Sequence, residues 1–199
     1  MSISGLGRGA ALALALLAGC RSLPPAPLSA SAPWEVRRPQ LQAIQHFELQ
    51  GRVAVAASGE GFNASLRWVQ DGRHAQLTLG GPLGVGGAQV SASGDDLTLT
   101  TARGEHVGSD AAHAELASRL GFDPPLAALR YWVLGVPDPA QPASESLDAN
   151  QQRLSALTQD GWRIDYQSYV DSRGGPLPSK LTLQRDAVRV RLLVDDWKQ

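Results

Sequence analysis

Residues 62–81 read FNASLRWVQDGRHAQLTLGG. Phe62, Ala64, Leu66 and Trp68 alternate with Asn63, Ser65 and Arg67, and Leu77 and Leu79 share one side of the following run. Between the two runs stands Asp71-Gly72, the dipeptide that a tight hairpin favours. A period of two, one apolar face and a short turn predict antiparallel strands that bury a single side.

The pattern extends both ways. Upstream, GRVAVAAS places Val53 and Val55 on one face; downstream, AQVSA, a Gly-Asp-Asp turn, LTLTTA with Leu97 and Leu99, and a short EHVG continue the meander. Strands resume after residue 152 with RLSALTQ, GWRIDYQSYV, SKLTLQR and VRVRLLVDDW. In these runs Trp162, Ile164 and Tyr166 share a face, as do Leu181 and Leu183, and as do Val188, Val190, Leu192 and Val194. The intervening DPAQPASESLDANQQ reads as a polar loop.

Three segments carry helical spacing instead. In WEVRRPQLQAIQHF, Leu41, Ile44 and Phe47 fall on one helical face, with Pro39 breaking or starting the helix. SDAAHAELASRLGF has Ser109 and Asp110 as cap candidates and ends at Gly121; DPPLAALRYWVLGVP starts on prolines and stops at Gly135 and Pro137. About eleven strands and three helices without an internal repeat predict one α+β domain: a large, curved antiparallel sheet with helices against one face.

The first residues set the compartment. MSISGLGRGAALALALLAGC has one cation, Arg8, an apolar run from Ala10 to Ala18, and small residues before Cys20. This is a signal-peptide layout, too short to span a bilayer as a helix. Leu17-Ala18-Gly19-Cys20 is similar to a bacterial lipobox, which implies cleavage after residue 19 and acylation of Cys20. As the only cysteine in the chain, Cys20 has no partner for an intramolecular disulfide. Residues 20–33, rich in Pro, Ser and Ala, read as a tether, and residues 34–199 as the folded domain. The resemblance to bacterial lipoproteins also implies a destination: Arg21 follows the cysteine where inner-membrane retention commonly uses Asp, which favours the outer membrane.

Without Arg8 the chain carries 17 Lys and Arg against 19 Asp and Glu, a net charge of −2. No basic stripe stands out, so nucleic acid is not an expected partner. Catalytic groupings are equally scarce. His46, His74, His106 and His113 lack metal-ligand spacing, and no serine sits in a Gly-x-Ser-x-Gly elbow. The paired carboxylates Asp95-Asp96 and Asp195-Asp196 read as turn or surface residues. Neither enzyme chemistry, a metal nor a cofactor is implied.

One stretch defies hairpin grammar. Leu79–Gly87, LGGPLGVGG, holds five glycines and a proline, yet no polar side chain, and places Leu83 near its tip. Solvated turns normally use Asn, Asp or Ser beside Gly and Pro. It is not a phosphate loop, since a strand rather than a helix N-terminus follows.

Taken in order, GRVAVAAS, ASLRWVQDG, LTLGGPLGVGGAQV, LGFDPPLAALRYWVLGVPDP, LTQDGWRIDYQSYV and LPSKLTLQRDAVRVRLLVDDW resemble the LolB family of outer-membrane lipoprotein receptors. The likeness covers roughly Trp34 to Trp197. It implies a half-open β-barrel, lidded by helices around an apolar cavity, that takes lipoproteins from the periplasmic carrier LolA and inserts their acyl chains into the outer membrane. It implies no covalent chemistry. The partners expected are that carrier, acylated cargo and outer-membrane lipid, with the chain a periplasm-facing, lipid-anchored monomer. Pro82, Leu83 and Gly84 match the family's protruding loop, whose leucine serves transfer into the membrane.

The inward residues Val53, Val55, Leu66, Trp68, Leu77, Leu79, Leu97 and Leu99 are candidates for the cavity wall. Trp132 and Leu134 from the last helix, with Trp162, Ile164 and Tyr166, are candidates to close it. Periodicity alone leaves each of these open as ordinary core. A lipoprotein scaffold with a filled core is the competing class, and a connected apolar cavity is what separates the two. Asp95, Asp96, Asp123 and Asp138 are available to a basic carrier, without a ranking among them.

Overall fold

A computed structural model describes residues 32–57, 59–81, 87–94, 96–172 and 174–199. Cys20 and the segment Pro82, Leu83, Gly84 lie outside the described residues, as does Asp95. Among the described residues the chain forms helix α1 (Trp34–Gln42), strands β1 (His46–Ala57), β2 (Glu60–Asp71), β3 (His74–Gly80), β4 (Gly87–Ser93), β5 (Asp96–Thr101) and β6 (His106–Gly108). Helices α2 (Ser109–Leu120) and α3 (Leu126–Trp132) follow, then β7 (Ala143–Leu147), β8 (Leu154–Gln159), β9 (Trp162–Ser172), β10 (Gly175–Arg185) and β11 (Val188–Lys198). No helix among them is long and apolar enough to cross a membrane.

All eleven strands join one antiparallel sheet in the order β6-β5-β4-β3-β2-β1-β11-β10-β9-β8-β7. The first and last strands, β6 and β7, are both edges, so the sheet is an open half-barrel rather than a closed one. The one non-sequential pairing brings β11 against β1 and joins the two meanders. A register shift at Gln50/Gly51 bends this seam. Gly51 is required there, because a Cβ would collide with the Leu193 carbonyl oxygen.

The register sorts the turns onto two ends. The β1–β2 hairpin, the finish of β3 with the start of β4, and the β8–β9 and β10–β11 turns share one end, called here the hairpin end. The β2–β3 turn, the β9–β10 turn and the finish of β11 share the other. Helix α1 packs at this second end, where Arg37 donates to the carbonyls of Gln152 (2.9 Å) and Pro176 (3.2 Å).

Four local expectations change. Helix α1 runs through Pro39 and stops at Gln42, so Ile44 is in a connection and Phe47 begins the buried face of β1. The hydrogen bond that proline removes is offset by tertiary fastening: Trp34 Nε1 donates to Glu145 (2.7 Å), Arg38 pairs with Glu145 (2.9 Å), and Leu41 is buried. Ser109 is no cap: its φ is +47° and Gly108 precedes the helix without a side-chain bond. Leu134 lies beyond α3, which ends at Trp132, in the turn that Gly135 makes at φ +78°. Finally, Ala143–Leu147 is a strand, not a loop; an edge strand tolerates Ser and Glu because its outer side pairs with nothing.

Two cores result. The larger spans Leu49, Trp132, Leu154, Leu157, Trp162, Ile164, Leu177 and Leu181, all nearly inaccessible. The smaller sits where Ala112 and Leu116 of α2 cover Val90, Leu97 and Leu99. Gly121 ends α2 in the left-handed region at φ +76°, its N–H bonded to Ala117 O at 2.9 Å.

Candidate apolar binding site

The inner face is filled at one end and hollow at the other. Near α1, Leu41, Phe47, Leu49 and Leu177 are buried in the larger core. Toward the hairpin end the same face encloses an apolar cavity of about 110 Å³.

Alternation on adjacent strands builds its wall. Strands β1 and β2 bring Val53, Val55, Phe62, Leu66 and Trp68; β3 adds Leu77 and Leu79; β10 and β11 add Leu183, Val190 and Leu192. The roof comes from the helical side. Leu116 and Leu120 are one helical turn apart on α2, Phe122, Pro124 and Pro125 form the connection, and Leu126, Leu129 and Val133 belong to α3 or its end. Trp162, the first residue of β9, closes the wall, with Phe122 edge-on at 5.5 Å between centroids. Phe62 is 36% exposed, a large ring left at the rim.

Of the residues singled out from sequence, Val53, Val55, Leu66, Trp68, Leu77, Leu79 and Trp162 meet at this cavity. The others go elsewhere. Leu97 and Leu99 lie under α2 in the smaller core. Trp132, Leu134, Ile164 and Tyr166 belong to the filled part of the larger one. For Trp132 and Tyr166 the reason is polar as well as steric: Trp132 Nε1 donates to Gln159 Oε1 (2.8 Å), and the Tyr166 hydroxyl donates to Trp132 O (3.0 Å). Burial pushes the Tyr166 hydroxyl well above its ordinary pKa, so it remains a donor.

Phe62, Val90, Leu183, Val190 and Leu192 on the strands, and the roof residues, were not among the candidates. The shared face of Val190 and Leu192 was legible as periodicity; the i, i+4 pair Leu116 and Leu120 was the signal for the roof.

Among the described residues no titratable side chain is on the wall. What the arrangement can do is hold an apolar group away from water. The Gly72 O and Ile44 O carbonyls accept from Arg130 (3.1 and 3.2 Å), tying the far half of α3 to the filled end. The exposed pair His113–Asp123 (3.3 Å) links α2 to the α2–α3 connection. Asp138 accepts from Gln159 Nε2 through its carbonyl and serves the same network, while Asp96 begins β5.

Comparisons with known proteins agree with this geometry. A family model described as "Outer membrane lipoprotein LolB" matches residues 45–197. An outer-membrane lipoprotein LolB of Nitrosococcus oceani is 35% identical over 189 residues, 94% of each chain. That of Pseudomonas aeruginosa is 32% identical over 193 residues, 95% of this chain and 94% of its own. Among solved structures, a LolA superfamily protein from Nitrosomonas europaea superposes with a TM-score of 0.53 at 9% identity, over 84% of this chain and 93% of that one, a likeness of fold alone. On the family match and on relatives above 30% identity along nearly the whole chain, this protein belongs to the LolB family of outer-membrane lipoproteins.

Proposed function

We propose that this chain receives acylated lipoproteins from a soluble periplasmic carrier of the LolA type and passes their acyl chains into the outer membrane. The observation that carries the reading is the cavity: wholly apolar walls, beside a sheet that is open at both edges. Transfer needs no covalent step. Each buried methylene is worth roughly 0.8 kcal/mol, so a chain moves between apolar compartments as long as it is never left in water.

At about 110 Å³ the cavity, open at its rim, is smaller than the ~150 Å³ that accommodates a benzene ring. Cargo therefore enters by displacing part of the roof. Arg130 ties α3 down, so α2 and the connection Phe122–Pro125 are the parts that give way.

The chain acts as a monomer, held at the periplasmic face of the outer membrane by acylated Cys20 after removal of residues 1–19, with residues 20–33 as tether and residues 34–199 as the working domain. Pro82, Leu83 and Gly84 touch the lipid. In the sequence they fall between β3, which carries the wall residue Leu79, and β4. Burying Leu83 contributes only about 1.5–3 kcal/mol, enough for reversible contact while the anchor keeps the surface near.

The test is a mixing experiment. Carrier loaded with a labelled lipoprotein is added to the Cys20→Ala chain, with or without outer-membrane vesicles. Cargo should pass to the chain without vesicles, and then to vesicles when they are present. Leu83→Glu should accept cargo and fail to deliver it. Failure of the parent chain to take cargo sinks the receptor reading; equal delivery by Leu83→Glu sinks only the role of the loop.

A further inference from the structure

The outer face of the sheet, opposite the cavity, has a groove of its own. Arg52, Asn63, Ser65, Lys180, Thr182 and Arg191 line it, from strands β1, β2, β10 and β11. Their chain neighbours Val53, Leu66, Leu183 and Leu192 are wall residues of the cavity. Side chains alternate along a strand, so the groove residues stand on the other side of the sheet.

Register gathers the three cations around Leu193. Arg52 and Lys180 are opposite it on the two flanking strands, two strand spacings or about 10 Å apart, and Arg191 is two residues along β11. They come from both halves of the sequence, so no basic run announces them. Elsewhere on this face cations meet carboxylates: Arg67 pairs with Glu48 (3.0 Å) and Arg163 with Asp165 (2.8 Å). In the groove Arg52 pairs with Asp195 (2.8 Å). Among the described residues Lys180 and Arg191 have no carboxylate partner, and no carboxylate lines the groove. Thr182 Oγ1 accepts from Gln167 Nε2 (3.0 Å), which leaves its own proton to donate. Free cations beside hydroxyl and amide donors suit phosphate oxygens.

The position of the groove favours a lipid source for that phosphate. Its rim includes Gly80 and Gly81, the residues that precede Pro82 and Leu83 in the sequence. A chain of the outer-membrane lipoprotein family has a lipid surface beside it. The whole chain is slightly acidic, so attraction to an anionic surface has to be local. We propose that this groove docks on anionic phospholipid headgroups, with Lys180 and Arg191 taking the phosphates, and holds the domain against the bilayer during delivery. The idea rests on the reading that the chain works at a lipid surface and is independent of the cavity.

The experiment sediments the Cys20→Ala chain with phosphatidylcholine vesicles, with and without phosphatidylglycerol. The anionic lipid should raise retention, and added salt should reverse the gain. Lys180→Gln with Arg191→Gln should weaken binding to anionic vesicles roughly ten- to thirtyfold. Arg73→Gln with Arg103→Gln removes equal charge at two exposed turns and should leave binding within about twofold. Lys180→Arg with Arg191→Lys should retain it. An equal loss in both Gln pairs, or no loss in the groove pair, overturns the proposal; the second result assigns the cations to an acidic protein face instead. Neutral vesicles report on the other reading, since retention there that Leu83→Glu abolishes needs only the loop. A chain retained by neither kind of vesicle sinks the lipid-surface reading together with the groove.

Discussion

The filled and the hollow parts of the half-barrel have the same inward alternation and opposite interiors. In the filled part most buried polar groups are matched, the Nε atoms of Arg37 and Arg130 excepted among the described residues. Gln159 alone serves Trp132 Nε1, Asp138 N, Asp138 O and Gln141 O, and the hydroxyls of Tyr166 and Tyr169 reach the carbonyls of Trp132 (3.0 Å) and Leu154 (2.6 Å). In the hollow part the wall is apolar, its roof is α2, a proline-containing connection and α3, and the Trp162 indole N–H has no partner among the described residues. The difference lies in the filler. A strand pattern sets which side chains point inward, but only the elements laid across the sheet decide whether they meet a partner or a space. One end supplies the rigidity that lets the other remain hollow.

That division can be broken most forcefully at Trp132. Replacing it with Ala removes a fully buried ring and one of Gln159's partners, at a cost of about 3–5 kcal/mol. Urea unfolding should show the loss as a lower midpoint. A cost under about 1 kcal/mol would mean that the filled part is not the stabilising one.

Alkaline pH attacks the same end more gently. Burial pushes the Tyr166 and Tyr169 hydroxyls far above the ordinary 10.0. Both are neutral in the folded chain, so their contribution is complete below the unfolded value near 10.0 and is lost as pH rises beyond it. Unfolding free energy should therefore hold between neutrality and about pH 9 and decline above about pH 10. Tyr169→Phe should flatten part of that decline; an equally steep decline in the variant would place its origin elsewhere.

The hollow end was the less legible of the two, for physical reasons. Alternation placed Val53, Leu66, Leu77 and Leu79 on the inner face, and they are there. Leu97 and Leu99 alternate in the same way, but α2 lies directly on them, and no strand pattern announces which strands a helix will cover. Trp132 and Tyr166 are drawn into the filled part by hydrogen bonds to Gln159 and to a backbone carbonyl, partners far away in sequence. Ala143–Leu147 escaped as a strand because Ser and Glu dominate an edge whose Glu145 is claimed by Trp34 and Arg38 from α1. Turn and cap chemistry was legible where glycine carried it, at Gly72, Gly121 and Gly135, all at positive φ. It failed at Ser109, which takes a positive φ without glycine's freedom.

The finest test of the contrast is a truncation at the hollow end. Leu79 is only half-buried and already faces empty space on one side, so it has fewer packing contacts to lose than Trp132. Leu79→Ala should cost about 1 kcal/mol, below the 2–5 kcal/mol typical of a buried leucine. It should also enlarge the cavity and tighten the binding of an apolar fluorophore, so stability and affinity move in opposite directions. Were Leu79→Ala as costly as a core truncation, and its fluorophore affinity unchanged, the roof would have collapsed onto the vacated volume. The hairpin end would then be a core like the other, merely less well packed.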